Sequence, residues 1–303
     1  MINVIRISWA VAVIPLLLSC DKPPTSIDFS YNLDSPDEVH LMPSELGEIS
    51  GLAKINDHEL FCVEDEHANV YRYNFSNKEI TKSKAFSDKG DFEGVEMVDR
   101  HVYVLKSNGD LYRLTMDSSQ FLKGDGSLKL STKLPEKCDA EGLCYDSISR
   151  RLLIACKGKA GKGKSFKGKK AIYGFDIKSM KPQKEPVYLI DVNEVREMRK
   201  ATNAYTLYER FTSFGGGNKT FNPSAIAVHP TEQRLYVLSS VGRTLCILNM
   251  DGDLDRVIKL NSSVFKQPEG IAFDSKGTLY ISNEARGGKA NISVFYYNPK
   301  LKE

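Results

Sequence analysis

A six-residue phrase that returns five times constrains the fold of this 303-residue chain more than any other feature. Each copy ends in a small residue followed by an aliphatic one, and the copies span residues 47–52, 90–95, 138–143, 221–226 and 266–271. The small residues at 51, 94, 142, 225 and 270 are separated by 43, 48, 83 and 45 positions. Because intervals of about 40 to 50 residues are typical of one β-propeller blade, the repeat predicts a propeller.

Each phrase begins a short apolar run, which a polar turn and a second apolar run follow, as at residues 271–273 and 279–282. Short strands with Gly, Asp and Asn turns are typical of all-β folds. The sequence therefore predicts an all-β propeller with five four-stranded blades, and the 83-residue interval leaves a sixth blade as the alternative. Residues 193–202 favour helix by propensity and are interpreted as an insertion.

The N-terminal region has the layout of an export signal. Residues 9–18 are apolar and end at Leu17-Leu18-Ser19-Cys20, which resembles a bacterial lipobox with Cys20 as the lipidated residue. We expect a signal peptide over 1–19, a lipidated cysteine and tether over 20–40, and the propeller over 41–303. The alternation at 27–33 predicts a strand that closes the ring. The protein would be exported and lipid-anchored to a bacterial plasma or outer membrane; an ordinary signal with an incidental cysteine is the alternative.

Charge and cysteine usage narrow the partners. The net charge of +3 is close to neutral, which argues against a nucleic-acid partner. Four cysteines in apolar runs are expected to be buried thiols: Cys62, Cys144, Cys156 and Cys246. Residues 158–165 match the phosphate-binding pattern G-x-x-x-x-G-K-[ST], but no helix is expected after them, so no nucleotide is predicted. We interpret residues 157–170 as a solvated basic loop, with polyanion contact as the alternative.

Two stretches carry a family resemblance: Asp91-Phe92-Glu93-Gly94, and residues 268–274 with their continuation to 281. With the order and spacing of the phrases, they resemble the SdiA-regulated propeller family (the YjiK/CarP type) of bacterial envelope proteins. The resemblance implies a propeller fold, and the family's names imply a link to calcium and a phytase-like character.

The aligned phrases place oxygen-bearing side chains in two columns. The first is Glu48, Asp91, Asp139, Asn222 and Gln267, and the second is Ser50, Glu93, Glu141, Ser224 and Glu269. If the phrases are extended, residues two apart point the same way, and both columns meet at one channel mouth. Such oxygens suit Ca²⁺ before Mg²⁺, so the predicted metal ligands are Glu48, Asp91, Glu93, Asp139, Glu141 and Glu269. The alternative is that these side chains latch one blade to the next, and both roles can coexist.

Five further charged residues are candidates for the rim or for ligand binding: Glu64, Asp65, Glu284, Arg243 and Arg286. The sequence favours a membrane-anchored binding module that holds Ca²⁺ and meets a small ligand, glycan or protein. The rival is a Ca²⁺-dependent phytase-like phosphoesterase or lactonase, for which Lys106, Lys157, Arg243 and Arg286 could bind an anion. No nucleophile motif points to catalysis. A scaffold without metal is the third reading.

Overall fold

Five antiparallel sheets follow one another along the chain in the computed structural model, which describes residues 29–124, 126–201 and 221–299. The strands, in chain order, are β1 Glu38–Leu41, β2 Ile49–Asn56, β3 Glu59–Glu64, β4 Asn69–Asn74, β5 Glu79–Ala85, β6 Phe92–Val98, β7 His101–Lys106, β8 Asp110–Thr115, β9 Leu128–Ser131, β10 Ala140–Asp146, β11 Arg151–Cys156, β12 Lys169–Asp176, β13 Lys181–Pro182, β14 Tyr188–Asp191, β15 Ala225–Val228, β16 Arg234–Ser239, β17 Thr244–Asn249, β18 Leu254–Lys259, β19 Pro268–Phe273, β20 Leu279–Asn283 and β21 Asn291–Phe295. The α-helix α1 spans Val192–Ala201, and 3₁₀ turns occupy Ser44–Leu46 and Lys164–Phe166.

The sheets form the blades of a propeller. Blade I is β2–β5, blade II β6–β9, blade III β10–β14, blade IV β15–β18, and blade V β19–β21 with β1. The innermost strands β2, β6, β10, β15 and β19 contact one another in turn, and β19 contacts β2. The five-bladed prediction is therefore confirmed. The apolar core lies between successive blades, as in the cluster where Phe61 of blade I meets Phe92 and Val104 of blade II.

Blade III explains the long interval in the repeat. Its outermost position is shared by two short strands, because β13 pairs with one end of β12 and β14 with the other. The helix α1 follows at once and packs Val195 into the core between blades III and IV. The predicted helical insertion is confirmed as far as Ala201. Residue 202 lies outside the described residues.

Ring closure differs from the prediction. The strand β1 pairs with β21, whereas the described residues 29–33 of the expected closing strand form no strand. Tyr31 and Leu33 instead pack between blades IV and V, where the Tyr31 hydroxyl donates to the Gly277 carbonyl oxygen at 2.5 Å. The alternation of apolar and polar residues at 27–33 correctly indicated that Tyr31 and Leu33 are buried. The strand that it also predicted does not form over residues 29–33, because β1 already pairs with the outer edge of β21. Within the segment 20–40 that was expected to be a tether, Tyr31 and Leu33 pack on the propeller and residues 38–40 belong to β1.

The predicted signal peptide and Cys20 lie outside the described residues. Among the helices of the described part, none has the length and apolarity needed to cross a membrane.

Close approach of the innermost strands explains the small residue in each phrase. A Cβ atom on Gly51 would lie 2.8 Å from the Val95 nitrogen, and one on Gly94 would lie 2.7 Å from the Leu143 Cβ. A Cβ atom on Gly142 would lie 2.9 Å from the Ile226 nitrogen. These distances are shorter than real Cβ contacts, so the glycines let each blade pack on the next.

Cysteine pairing corrects one expectation. Cys156 forms a disulfide with Cys138 across 18 positions, so it is not a free thiol. The pair joins the end of β11 to the segment before β10, two places that the linear sequence gives no reason to connect. The thiols of Cys62, Cys144 and Cys246 are free and buried, as predicted.

Candidate functional site

The repeated phrase occupies the start of each innermost strand and bends the backbone there. In blades I, II, III and V the pairing of the first two strands shifts register within the phrase, as between Phe92 and Gly94. A bulge of this kind re-aims side chains. The two columns therefore do not point the same way: Glu48, Asp91 and Asp139 of the first are exposed, whereas Ser50 and Glu141 of the second are buried.

The serines of the second column act as latches. Ser50 Oγ donates to the Phe92 carbonyl oxygen at 2.7 Å and so joins blade I to blade II. Ser224 Oγ donates to the Pro268 carbonyl oxygen at 3.3 Å, which joins blade IV to blade V. The latch interpretation thus holds for both serines.

The glutamates of blades II and III form one half of an acidic ring. Burial raises the pKa of Glu93, and the carboxylates of Glu141 and Asp91 raise it further. Burial also raises the pKa of Glu141, although the Lys157 ammonium, 2.9 Å from its Oε1, counteracts the shift. Lys157 therefore supplies a cation to this half of the ring from within the chain.

Blades V and I form the other half. Burial raises the pKa of Glu284 to about 8, with further contributions from Glu269, Glu48 and Asp65. Burial likewise raises the pKa of Asp65 to about 6, and Glu48 is the carboxylate that contributes most to it. Burial also raises the pKa of Glu269, against the lowering effects of the Lys157 charge and of hydrogen bonds from Ser240 and Gln267. Carboxylates of different blades are thus close enough to disfavour one another's charge.

Two oxygens in this second half are buried and without a hydrogen-bond partner among the described residues: Asp65 Oδ1 and Gln267 Oε1. The amide nitrogen of Gln267 donates to Glu284, which leaves its oxygen directed elsewhere. Buried oxygens of this kind are acceptors that a cation or water could use. Only Gln267 of the two belongs to the predicted columns; Asp65 was predicted as a rim residue.

The other rim candidates have structural partners. Glu64 is buried and accepts the backbone N–H groups of Glu66 and His67, so it shapes the turn after β3. Arg243 donates to the carbonyl oxygens of Phe265 and Lys266 and fixes the approach to β19. Arg286 is exposed, and its charge lowers the pKa of Glu284 against the prevailing shift.

The acids are near one another but are not assembled as a coordination shell. Within residues 29–124, 126–201 and 221–299, no three Asp, Glu, His or Cys side chains are grouped closely enough to hold a metal ion as they stand. Binding would require the flexible carboxylate arms to draw together. The donor types fit a hard cation, since carboxylate and amide oxygens are what Ca²⁺ takes.

The lysine-rich segment of blade III is not a nucleotide loop. The strand β12, not a helix, follows the 3₁₀ turn Lys164–Phe166, so no helix N-terminus faces a phosphate there. The backbone N–H groups of Gly158 and Lys159 donate to the carbonyl oxygens of Cys138 and Lys137 instead. Ala160 and Lys170 are buried, whereas Lys159, residues 162–165 and Lys167 are exposed, as expected of a solvated loop.

The chain was compared with a set of protein families, with curated sequences and with solved structures. The family described as SdiA-regulated matches residues 179–286. No curated protein sequence matches the chain at a significant level. A luciferin-regenerating enzyme is similar in structure, with a TM-score of 0.47, 11% identity and coverage of 86% of this chain and 95% of that chain. A PQQ-bound aldose sugar dehydrogenase from Streptomyces coelicolor is also similar, with a TM-score of 0.47 and 12% identity. The match covers 86% of this chain and 99% of that chain.

A glutaminyl cyclase from Myxococcus xanthus has a TM-score of 0.44 and 15% identity, and the match covers 71% of this chain and 76% of that chain. No argument about activity rests on likenesses of this degree. The chain is a five-bladed β-propeller that carries, over residues 179–286, the sequence pattern of the SdiA-regulated family.

Proposed function

We propose that this protein is a membrane-anchored envelope propeller that acts as a binding module and holds a divalent cation, Ca²⁺ before Mg²⁺, at its channel mouth. The carrying observation is that Asp65 Oδ1 and Gln267 Oε1 are buried without a hydrogen-bond partner among the described residues. They lie beside Glu284, whose pKa is raised by burial and by repulsion from carboxylates of blades V and I. A bound cation would relieve this repulsion and favour the charged forms.

The structure refines which predicted ligands we propose. In the half formed by blades II and III, Lys157 pairs directly with Glu141, and its charge also lowers the pKa of Glu269 in blade V. In the half formed by blades V and I, Glu48, Asp65, Glu269 and Glu284 influence one another, and two buried oxygens have no described partner. We therefore assign the cation to blades V and I, with Gln267 Oε1 as a neutral ligand. The remaining predicted ligands would not contact the cation but would attract it through their negative charge; they are Asp91, Glu93, Asp139 and Glu141.

The disulfide supports export. Disulfides persist in oxidising compartments such as the periplasm and the cell surface and are rare in the cytosol. The pairing of Cys138 with Cys156 therefore fits the export signal read from residues 1–19. Lipidation of Cys20 would hold the module on a membrane face.

A hydrolase is less well supported than a binding module. Two of the cations that could bind an ester phosphate are engaged: Lys157 pairs with Glu141, and Arg243 binds carbonyl oxygens. Lys106 stacks over the Phe92 ring, with its ammonium 5.6 Å from the centroid. Most of the positive side chains that could stabilise an anionic transition state are therefore already engaged in contacts within the protein.

Calorimetric titration of Ca²⁺ into the chelator-treated protein tests the proposal. We expect binding near one equivalent, lost in Glu284→Gln and Glu269→Gln because each variant removes an anionic ligand. Asp251→Asn is the matched control, since Asp251 is exposed in the turn between β17 and β18.

Heat of binding that survives in both glutamine variants would move the cation away from blades V and I. Absence of any binding to the folded wild-type protein would leave the acids as structural groups and would remove the proposed function.

A further inference from the structure

Blade III contains a pocket that is separate from the acidic residues described above and is lined mainly by lysines. It is a pocket of about 510 Å³ between residues 135–137, which lead into β10, and residues 158–170, which connect β11 to β12. Pockets of about 300 to 1,000 Å³ are the size that small-molecule ligands occupy. The proposed cation site uses none of these residues.

Several contacts fix the two walls of the pocket. The Cys138–Cys156 disulfide joins the chain at the base of both walls. Gly158 N–H donates to the Cys138 carbonyl oxygen at 2.7 Å, and Lys159 N–H donates to that of Lys137 at 2.6 Å. The walls therefore run side by side as a short ladder.

The far wall is held from within blade III. The Tyr173 hydroxyl donates to the Ala160 carbonyl oxygen at 2.7 Å, and Ala160 is buried. The buried Lys170 ammonium donates to the carbonyl oxygens of Lys157 and Gly158, the latter at 3.2 Å. Gly161 lies so close to the Phe166 ring that a Cβ atom would come within 2.9 Å of it. The segment thus has a defined shape despite its glycines.

The lining is strongly basic. Its ionisable groups are Glu136 and six lysines: Lys137, Lys159, Lys162, Lys167, Lys169 and Lys170. Among the described residues, none of these lysines forms an ion pair with a carboxylate. Like charges gathered in a concave site repel one another and focus a positive potential into it. Because the ordered walls hold several lysines near one another, a multiply charged anion would be bound favourably in this pocket.

We propose that this pocket binds a ligand through phosphate groups. Lysine recognises phosphate as a compact point charge, and a charge-assisted hydrogen bond is about twice as strong as a neutral one. A single carboxylate would leave most of the lysine charge uncompensated, whereas a diphosphate or a phosphomonoester cluster matches it. The phosphate could belong to a soluble compound or to a lipid headgroup.

Calorimetric titration with inorganic pyrophosphate, in chelator and without added divalent cation, tests the pocket independently of the cation site. The test variant is Lys159→Gln with Lys162→Gln and Lys167→Gln. The control variant is Lys178→Gln with Lys181→Gln and Lys184→Gln, three exposed lysines of the same blade outside the pocket. Both variants carry the same net charge.

We expect wild-type and control proteins to bind pyrophosphate alike and the pocket variant to bind at least about tenfold more weakly. The variant removes three of the five lining lysines whose ammonium groups are not held by backbone carbonyl oxygens, since only Lys170 of the described lining is held in this way. Equal weakening in both variants, or no binding by the folded wild-type protein, would overturn the proposal. If the pocket variant does not fold, Lys162→Gln alone replaces it, since Lys162 is exposed.

Flotation with phosphatidylcholine vesicles, with and without phosphatidic acid, separates the two sources of phosphate. Binding that requires phosphatidic acid, is lost in the pocket variant and is displaced by pyrophosphate identifies a lipid headgroup. Pyrophosphate binding, with vesicle binding that does not depend on phosphatidic acid, identifies a soluble phosphate compound.

Discussion

Glu93 and Glu96 lie on the same strand, β6, and show how burial and partners set the chemistry of a carboxylate. The charges of Glu141 and Asp91 add to the effect of burial on the pKa of Glu93. Glu96 is half-buried and accepts the N–H groups of Met97 at 2.7 Å and of Tyr145 at 2.9 Å. Burial raises its pKa to about 7, even though both hydrogen bonds favour the charged form.

Glu96→Gln should therefore change how stability depends on pH. The ordinary pKa of this carboxyl is 4.5, so the folded protein holds a proton between pH 4.5 and about 7 that the unfolded chain releases. Stability from this group is complete below pH 4.5 and is lost as the pH rises through about 7. We expect the free energy of unfolding of the wild type, relative to the variant, to fall over this window and to be level above it. Urea denaturation at several pH values measures it, and parallel curves for the two proteins would contradict the assignment.

The sequence predicted which residues form the candidate site, but it did not predict which of them are buried or which of them latch the blades. The repeat identified every member of both columns, including the serine latches Ser50 and Ser224. It did not show that Glu48, Asp91 and Asp139 of the first column are exposed, because the register shift within the phrase breaks the strand period on which that inference relied. Only the tertiary structure shows that Asp65 Oδ1 and Gln267 Oε1 are buried without a hydrogen-bond partner among the described residues.

At the scale of elements, the contact between innermost strands depends on the small residue in each phrase. Gly94→Ala would place a methyl group 2.7 Å from the Leu143 Cβ and force blades II and III apart. We expect a loss of about 1–3 kcal/mol in the free energy of unfolding, the usual cost of overpacking. Chemical denaturation gives this value.

Gly126→Ala is the control for that substitution, because a Cβ atom there would meet nothing within 4 Å. It should leave stability unchanged or raise it slightly, since alanine restricts the unfolded chain. If Gly94→Ala and Gly126→Ala behave alike, close approach is not the reason for glycine in the repeat.

At the scale of the whole molecule, β1 joins the two ends of the ring and covers the edge of β21. The contact is reinforced by the Asp37 N–H group, which donates to the Val294 carbonyl oxygen at 2.9 Å. A chain that begins at residue 42 should unfold at a lower temperature and associate, because it exposes an unpaired strand edge.

A chain that begins at residue 29 retains β1 and the packing of Tyr31 and Leu33, and should melt as the full-length protein does. Thermal unfolding and size-exclusion chromatography compare the two. Equal melting temperatures and monomeric behaviour in both would show that closure does not require β1.

The sequence by itself determined the properties that arise from local pattern. The spacing of the phrases set the number of blades, and the propensity of the segment after β14 set the helix α1. Three features were decided only by tertiary structure: the choice of β1 as closing strand, the Cys138–Cys156 pair, and the burial of Glu141 while Glu48, Asp91 and Asp139 are exposed. Each depends on which distant segments of the chain come within a few ångströms of one another. Periodicity and composition report the conformation of a segment and the burial of its faces, but they contain no distance between segments.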